Sequence, residues 1–370
     1  MVKKILFLLH IPPPVHGSSM VGKWIKESVL INREFDCDYL NLLASKDVGQ
    51  SGEISFGKLY TLLITFFKLF KTLFSKRYDL CYFALTTTGI AFYRDILLVF
   101  LLKLFGVKCI FHLHNKGVAN AAKKSFHKDL YKYVFKNTKV IILSEYLYSD
   151  IELFVPRSDI YICPNGIPAI AEKLEVDRLN SSRAKHGVKT ILFLSNMIES
   201  KGVYVLLDAL NELSDRDIKF KAVFVGGEGD VTSNQFYSKL DKLGLSGKVD
   251  YLGKKYGSEK EKIFSEADIF VFPTFYEKEC FPLVLLEAMQ YALPIVTTPE
   301  GGIMSIVKEQ ENGYLVKQGA SKELAEKIAI LIANPHMIQE MGNKGRSKFQ
   351  KEFTLDCFEN RLFQILMSNL

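Results

Sequence analysis

The sequence predicts an α/β chain built from two doubly wound parallel-sheet domains. Three observations carry this. The chain has 370 residues, the length of two ordinary domains. Short apolar runs alternate with longer helical patterns, as expected where parallel strands are covered on both faces. Between residues 164 and 189 that alternation stops at a turn cluster, Pro164-Asn-Gly-Ile-Pro168, continues as a polar stretch, and then restarts.

The first strand is Lys4–Leu9. Met1–Leu9 imitates a secretion signal, but its apolar run is too short, and His10 and Pro12-Pro-Pro14 follow with no small-residue cleavage site. A helical pattern over Ser19–Leu30 comes next, and an edge strand begins at Asp36. Helical patterns Lys58–Phe74 and Arg94–Phe105 then alternate with strands Asp79–Phe83, Lys108–Leu113, Val140–Leu143 and Ile160–Cys163. The second half repeats the plan with strands Thr190–Leu194, Phe220–Val225, Val249–Leu252, Ile269–Phe272 and Ile295–Thr297.

Composition bounds the function. Hydrophobic residues make up 48% and charged residues 24%, which excludes a disordered or collagen-like chain. The six cysteines contain no CxxC pair, so zinc and thioredoxin-like chemistry are not expected, and they read as reduced thiols of a cytoplasmic protein. The apolar run Ile96–Leu102 falls far short of the roughly 18 residues a spanning helix needs. The first 165 residues hold 22 Lys and Arg against 13 Asp and Glu; the rest balance at −2 within the total of +7. A basic first half concerns partners: nucleic acid, anionic lipid or a phosphorylated substrate. No nucleic-acid-binding motif accompanies the charge, so no nucleic-acid partner is expected.

Residues 273–303 are the most informative stretch. Glu279 stands in a loop, Pro282 is placed at the first position of a helix running to about Tyr291, and Glu287 lies within that helix. Carboxylates accept hydrogen bonds, which suits hydroxyl-rich ligands such as ribose and hexose. The unpaired amides of a helix start favour an anion. Together they describe a site for a sugar nucleotide. An isolated pair of such carboxylates is ordinarily solvated charge, so the surrounding blocks decide the reading.

Those blocks resemble glycosyltransferase family four, the large retaining family of GT-B fold marked by Glu-x7-Glu. The resemblance rests on Glu279 and Glu287, Ala288-Met289, Leu293-Pro-Ile-Val296, Gly301-Gly302-Ile303 and Asn312-Gly-Tyr-Leu-Val316. Pro164-Asn165-Gly166, Lys201-Gly202-Val203, Leu206-Leu-Asp-Ala-Leu210 and Val225-Gly-Gly-Glu-Gly229 extend it, densely over about 165–330 and sparsely before. It implies two Rossmann-like domains with an interdomain cleft. The first covers 1–165 and faces the acceptor, with a crossover helix at about 352–370. The second, 166–351, holds the donor.

Residue by residue, the resemblance implies that Glu279 contacts the donor sugar and Glu287 the nucleotide ribose. It implies that the amides of Phe281 and Leu283 approach the sugar and diphosphate, and that Lys201 clamps the diphosphate. Asn196 stands where the family usually has an Arg, and Ser305 where it often has an acid. Gly226 belongs to the Gly-rich turn. In the first half, Pro12-Pro-Pro-Val-His16-Gly17-Ser18 resembles the family's Gly-rich loop, with Gly17 allowing close approach of a ligand. Of His112 and His114, His114 resembles the family's His near the donor sugar.

Asp36-Cys-Asp38 and Asp215-Arg-Asp217 spell a metal-binding pattern of another fold without its context, so no metal site and no cofactor are expected. The expected activity is metal-independent transfer of a hexose-type sugar, with retention, from a nucleotide diphosphate sugar to a hydroxyl acceptor. The setting is cell-surface polysaccharide or lipopolysaccharide assembly. Alternatives are a non-catalytic sugar-nucleotide-binding partner and a GT-B epimerase or hydrolase. Residues 54–78 contain no acid but five basic residues among many apolar ones. A helix there fits either a core position with a solvated basic edge or an anionic bilayer, the latter with a glycan or lipid-linked diphosphate acceptor at the inner face of the cell membrane.

Overall fold

The computed structural model describes residues 2–42, 56–169 and 187–370. The chain divides into two compact units, Met1–Gly166 with Leu355–Leu370, and Ile167–Thr354.

The first unit is one parallel sheet. Its strands are β1 (Lys4–Leu9), β2 (Asp36–Asn41), β3 (Leu80–Phe83), β4 (Cys109–Leu113), β5 (Lys139–Ile142) and β6 (Ile160–Ile162). They lie in the order β2-β1-β3-β4-β5-β6. Ile5 through Leu9 are buried, as a central strand covered on both faces requires. β2 is the edge. Its Asp36 lies 3.5 Å from Lys4 and its Asp38 accepts from Lys76 at 2.7 Å and from the Tyr78 hydroxyl at 2.6 Å, so both acids of that pattern face basic or hydroxyl partners. Charge on an exposed edge discourages further strand pairing. The C-terminal helix Leu355–Met367 places Phe358, Leu362 and Leu366 in the core formed with Ile5, Phe7 and Tyr82.

The second unit is also one parallel sheet. Its strands are β7 (Lys189–Leu194), β8 (Phe220–Val225), β9 (Val249–Tyr251), β10 (Ile269–Phe272), β11 (Ile295–Thr297) and β12 (Gly313–Leu315), ordered β12-β11-β10-β7-β8-β9. β12 is a strand the apolar pattern did not announce. A Cβ on Gly313 would lie 2.0 Å from the Ile295 carbonyl oxygen, so glycine is what lets this short edge approach β11.

Each sheet has a switch point where the strand order reverses, at β1 and β3 in the first unit and at β7 and β10 in the second. The carboxyl ends of those strands are where doubly wound sheets bind ligands.

Three helices depart from the sequence reading. The pattern Arg94–Phe105 belongs to a helix that begins five residues earlier, Gly89–Leu104. The pattern Ser19–Leu30 is two helices, Gly17–Glu27 and Val29–Glu34, because the Ser28 hydroxyl accepts from the Ile31 amide at 3.3 Å and starts a new helix. Pro282 is the N-cap of the helix Leu283–Gln290, not its first residue; its extended backbone (ψ 114°) precedes the turn.

Leu362 is fully buried in the first unit's core. Leu362→Ala is expected to cost about 2–5 kcal/mol in denaturant unfolding. A loss below about 0.5 kcal/mol would show that the C-terminal helix does not belong to that core.

Candidate active site

In the second unit, Lys201 follows β7 and Glu279 follows β10, so both sit at the switch point. Lys201 Nζ meets Glu279 Oε2 at 2.5 Å, with the two side chains only 15% and 10% exposed. The ammonium also lies 4.4 Å from the centre of the Tyr276 ring, a cation–π contact that favours its charge. Burial, then the Glu279 charge, raises the Tyr276 hydroxyl above its ordinary pKa.

Backbone contacts make this meeting possible. Gly202 (φ +91°) lies so close to Pro273 that a Cβ would stand 2.3 Å from its carbonyl oxygen. Gly301 (φ +54°) lies equally close to the Glu279 carbonyl, at 2.2 Å. The Phe275 amide donates to the Ser200 carbonyl at 2.8 Å, and the Gly302 amide to the Cys280 carbonyl at 2.7 Å. The loops after β7, β10 and β11 are thus tied together under the ion pair.

Glu287 projects from the helix Leu283–Gln290 and pairs with Lys260 of the helix Gly257–Glu266 at 2.6 Å. The first amides of the Leu283 helix have no carbonyl within the helix to accept them. Phe281 turns its ring inward, 6.0 Å from that of Phe353. Asn196 is exposed in the loop after β7. Gly226 is consumed locally: a Cβ there would lie 1.7 Å from the Ser195 carbonyl oxygen. The Gly-rich turn therefore stitches itself to the loop bearing Asn196, helped by the Met197 amide donating to the Gly227 carbonyl at 2.7 Å. Ser305 lies on the short helix Ile303–Ile306, where its carbonyl accepts from Lys348 at 2.7 Å.

In the first unit, the carboxyl ends of β1 and β4 carry four imidazoles. His10 follows β1, His16 is the N-cap of the helix Gly17–Glu27, His112 lies within β4 and His114 follows it. The His16 Nδ1 accepts from the Ser19 amide at 3.3 Å, which fixes the helix start and leaves Gly17 as its exposed first residue. His112 is fully buried and shares a 2.5 Å hydrogen bond between its Nδ1 and the Tyr82 hydroxyl. Its ring lies 4.2 Å from that of His114. His10 Nδ1, His112 Nε2 and His114 Nδ1 are buried and have no hydrogen-bond partner among the described residues. Arg94, held to the fully buried Asp95 at 2.7 Å, donates to the Leu42 carbonyl at 2.7 Å and reaches His10 Nε2 at 3.5 Å.

The sequence reading singled out His114 but not His10, Tyr82 or Arg94. His10 had a signal: it is the first residue past the first strand. Tyr82 had none, since His112 is 30 residues away in the chain, and neither had Arg94, whose contacts to Leu42 and His10 are 52 and 84 residues away.

Burial, then the charge of His16, lowers the His114 pKa to about 4; burial likewise lowers His10, His16 and His112. The unfolded chain takes up protons on these groups as pH falls through about 6.5, while the folded chain refuses them. Stability from this cluster is fully present above that pH and is lost as pH falls toward 4. His114→Gln is expected to make the fall of unfolding free energy with acid shallower than in the parent. Equal slopes between pH 6.5 and 4 would show that His114 is not held neutral.

Residues 177–348 match the family model described as Glycosyl transferases group 1. The chain is 26% identical over 198 residues to spore coat protein SA of Bacillus subtilis (strain 168), covering 52% of each chain. It is 25% identical to the capsular polysaccharide biosynthesis glycosyltransferase CapM of Staphylococcus aureus, covering 51% of this chain and 49% of that one. The chain spans about half the length of the curated relatives it matches. Among solved structures, Anabaena Alr3699/HepE in complex with UDP and glucose superposes with a TM-score of 0.71 at 19% identity, covering 99% of this chain and 100% of that one. The chain has the GT-B fold, and its second unit carries the sequence pattern of the group 1 glycosyl transferases.

Proposed function

We propose that the chain transfers a hexose-type sugar from a nucleotide diphosphate donor to a hydroxyl acceptor, with retention and without a metal. The observation that carries this is the Lys201–Glu279 pair at the second unit's switch point, inside the segment that matches the group 1 glycosyl transferases. HepE, whose structure holds UDP and glucose, supports a nucleotide-sugar donor, and CapM, named for capsular polysaccharide biosynthesis, supports a role in cell-surface glycan assembly.

In this reading the departing diphosphate draws on Lys201 and on the first amides of the helix Leu283–Gln290, which oppose its growing negative charge. Glu279 accepts from donor-sugar hydroxyls and keeps Lys201 oriented. Glu287 accepts from the ribose, exchanging its contact with Lys260 for the nucleotide. Asn196 offers hydrogen bonds but no charge, so Lys201 carries a larger share of phosphate neutralisation. In the first unit the buried, neutral imidazole of His114 suits hydroxyls of a sugar, because neutral imidazole both donates and accepts, and the acceptor is a glycan or a lipid-linked diphosphate. In this reading the transfer takes place at the cytoplasmic face of the cell membrane.

Glu279→Gln keeps an acceptor for Lys201 and so separates chemistry from folding. It is expected to lower transfer about 100-fold or more while the fold stays intact. The check is product analysis with a panel of nucleotide diphosphate sugars. Unchanged turnover would remove Glu279 from the chemistry, and free sugar in place of a transfer product in the parent would point to a hydrolase.

Glu287→Ala is expected to weaken donor binding about tenfold while lowering kcat less, since a ribose contact is made in ground and transition states alike. Nucleotide titration by calorimetry reads it. An unchanged Kd would take Glu287 out of the donor site.

A further inference from the structure

The first unit carries an apolar surface that its own fold does not cover. On the helix Phe56–Ser75, Leu63, Phe67, Phe70 and Phe74 are 49%, 63%, 42% and 77% exposed. Their 4-3-4 spacing places them on one face, while Leu69 and Leu73 on the other side are buried. The helix Gly89–Leu104 repeats the pattern. Ile90, Tyr93, Leu97, Phe100 and Leu104 are 44–66% exposed at 3-4-3-4 spacing, and Phe92, Leu98 and Leu102 are buried. The two helices pack together, and the rings of Phe70 and Phe105 meet edge-on at 5.7 Å. The start of a third helix, Ser125–Phe135, joins them through the Tyr93 hydroxyl and His127 Nε2, 2.8 Å apart, and adds Phe126, which is 66% exposed. Single exposed apolar residues are ordinary; stripes on adjoining helices mark a partner.

Charge identifies that partner. Residues 54–78 hold no acid, and Lys68 and Lys71 stand exposed beside the first stripe. The only acid of the second helix, Asp95, is fully buried against Arg94. Lys123, Lys124 and Lys128 are exposed around Phe126. A second copy of this chain would bring like charges together across the same face. A nucleic acid would meet the lysines but leave the stripes in water. A bilayer with anionic headgroups satisfies both, taking the stripes into its interface and the lysines against its phosphates. Among the described residues no helix is long and apolar enough to cross a membrane, which suits attachment from one side.

We propose that the stripes of Phe56–Ser75 and Gly89–Leu104, with the lysines beside them, form a docking surface for an anionic lipid bilayer. The second stripe is as much a part of it as the first. The surface is independent of the transfer reading, because binding to lipid is measured without donor or acceptor.

The test is co-sedimentation of the full chain with phosphatidylcholine vesicles, with and without an equal share of phosphatidylglycerol, at low and high salt. Binding is expected to the anionic vesicles and to weaken with salt. The double variant Phe74→Glu/Leu104→Glu changes the most exposed residue of each stripe, and it is expected to lower the partition coefficient about tenfold or more. An unchanged melting temperature confirms that the variant is folded. Lys68→Gln/Lys71→Gln, which removes charge alone, is expected to weaken binding to anionic vesicles only. The proposal is overturned by no binding to anionic vesicles at low salt, by equal binding of the parent and the Phe74/Leu104 variant, or by a dimer in solution that the same variant dissolves while vesicles go unbound.

Discussion

The second unit depends on close backbone packing beneath a buried ion pair. Lys201 and Glu279 lie 78 residues apart in sequence, on loops after different strands. Two partly buried charges lose much of their hydration, and the pair is tolerable only if the geometry is held. The holding is done by residues without side chains: Gly202 against Pro273, and Gly301 against the backbone of Glu279 itself. Any Cβ at either place would push a loop outward and part the charges. The glycines of this stretch are therefore conditions on where Lys201 and Glu279 can stand, and Gly226 serves the neighbouring loop in the same way.

The two switch points solve different chemical problems with the same topology. In the second unit, charge is present and compensated: Lys201 by Glu279, Lys260 by Glu287. In the proposed function, a phosphate there would meet these cations while their carboxylate partners turn to sugar hydroxyls. In the first unit the polar groups are neutral. Burial keeps the His10, His112 and His114 rings uncharged near neutral pH, and Arg94 is already held by Asp95 and a backbone carbonyl. On the proposed reading, a neutral, hydrogen-bonding mouth suits hydroxyls, whereas a compensated ionic one suits phosphate.

Much of this was legible in the sequence because parallel strands buried on both faces read as apolar runs. β1, β8, β10 and β11 begin and end where those runs do. β12 was not legible as a strand, since Gly313-Tyr-Leu315 is too short to show a pattern and owes its place to a missing side chain. The break at Ser28 escaped because the apolar period continues across it, and only the hydroxyl on the Ile31 amide ends one helix and begins the next. Glu279 and Glu287 were visible through their spacing and neighbours. Their partners were not: nothing local ties Lys260 to Glu287, or Tyr82 to His112, because those meetings are made by strand order and helix packing.

The apolar stripes show the same limit from the other side. Residues 56–75 looked unusual in sequence because they lack acids, and a core helix with a basic edge fitted them as well as a membrane one did. The helix Gly89–Leu104 is apolar around most of its circumference. Periodicity cannot say which of two apolar faces is turned outward. The structure answers by burying Phe92, Leu98 and Leu102 and leaving Leu97, Phe100 and Leu104 in solvent. A helix apolar on both faces, in a unit that covers only one of them, has a use for the other. Lys68 and Lys71, on a segment without acids, and the buried Asp95 make that face fit the proposed surface, one that is itself both apolar and anionic.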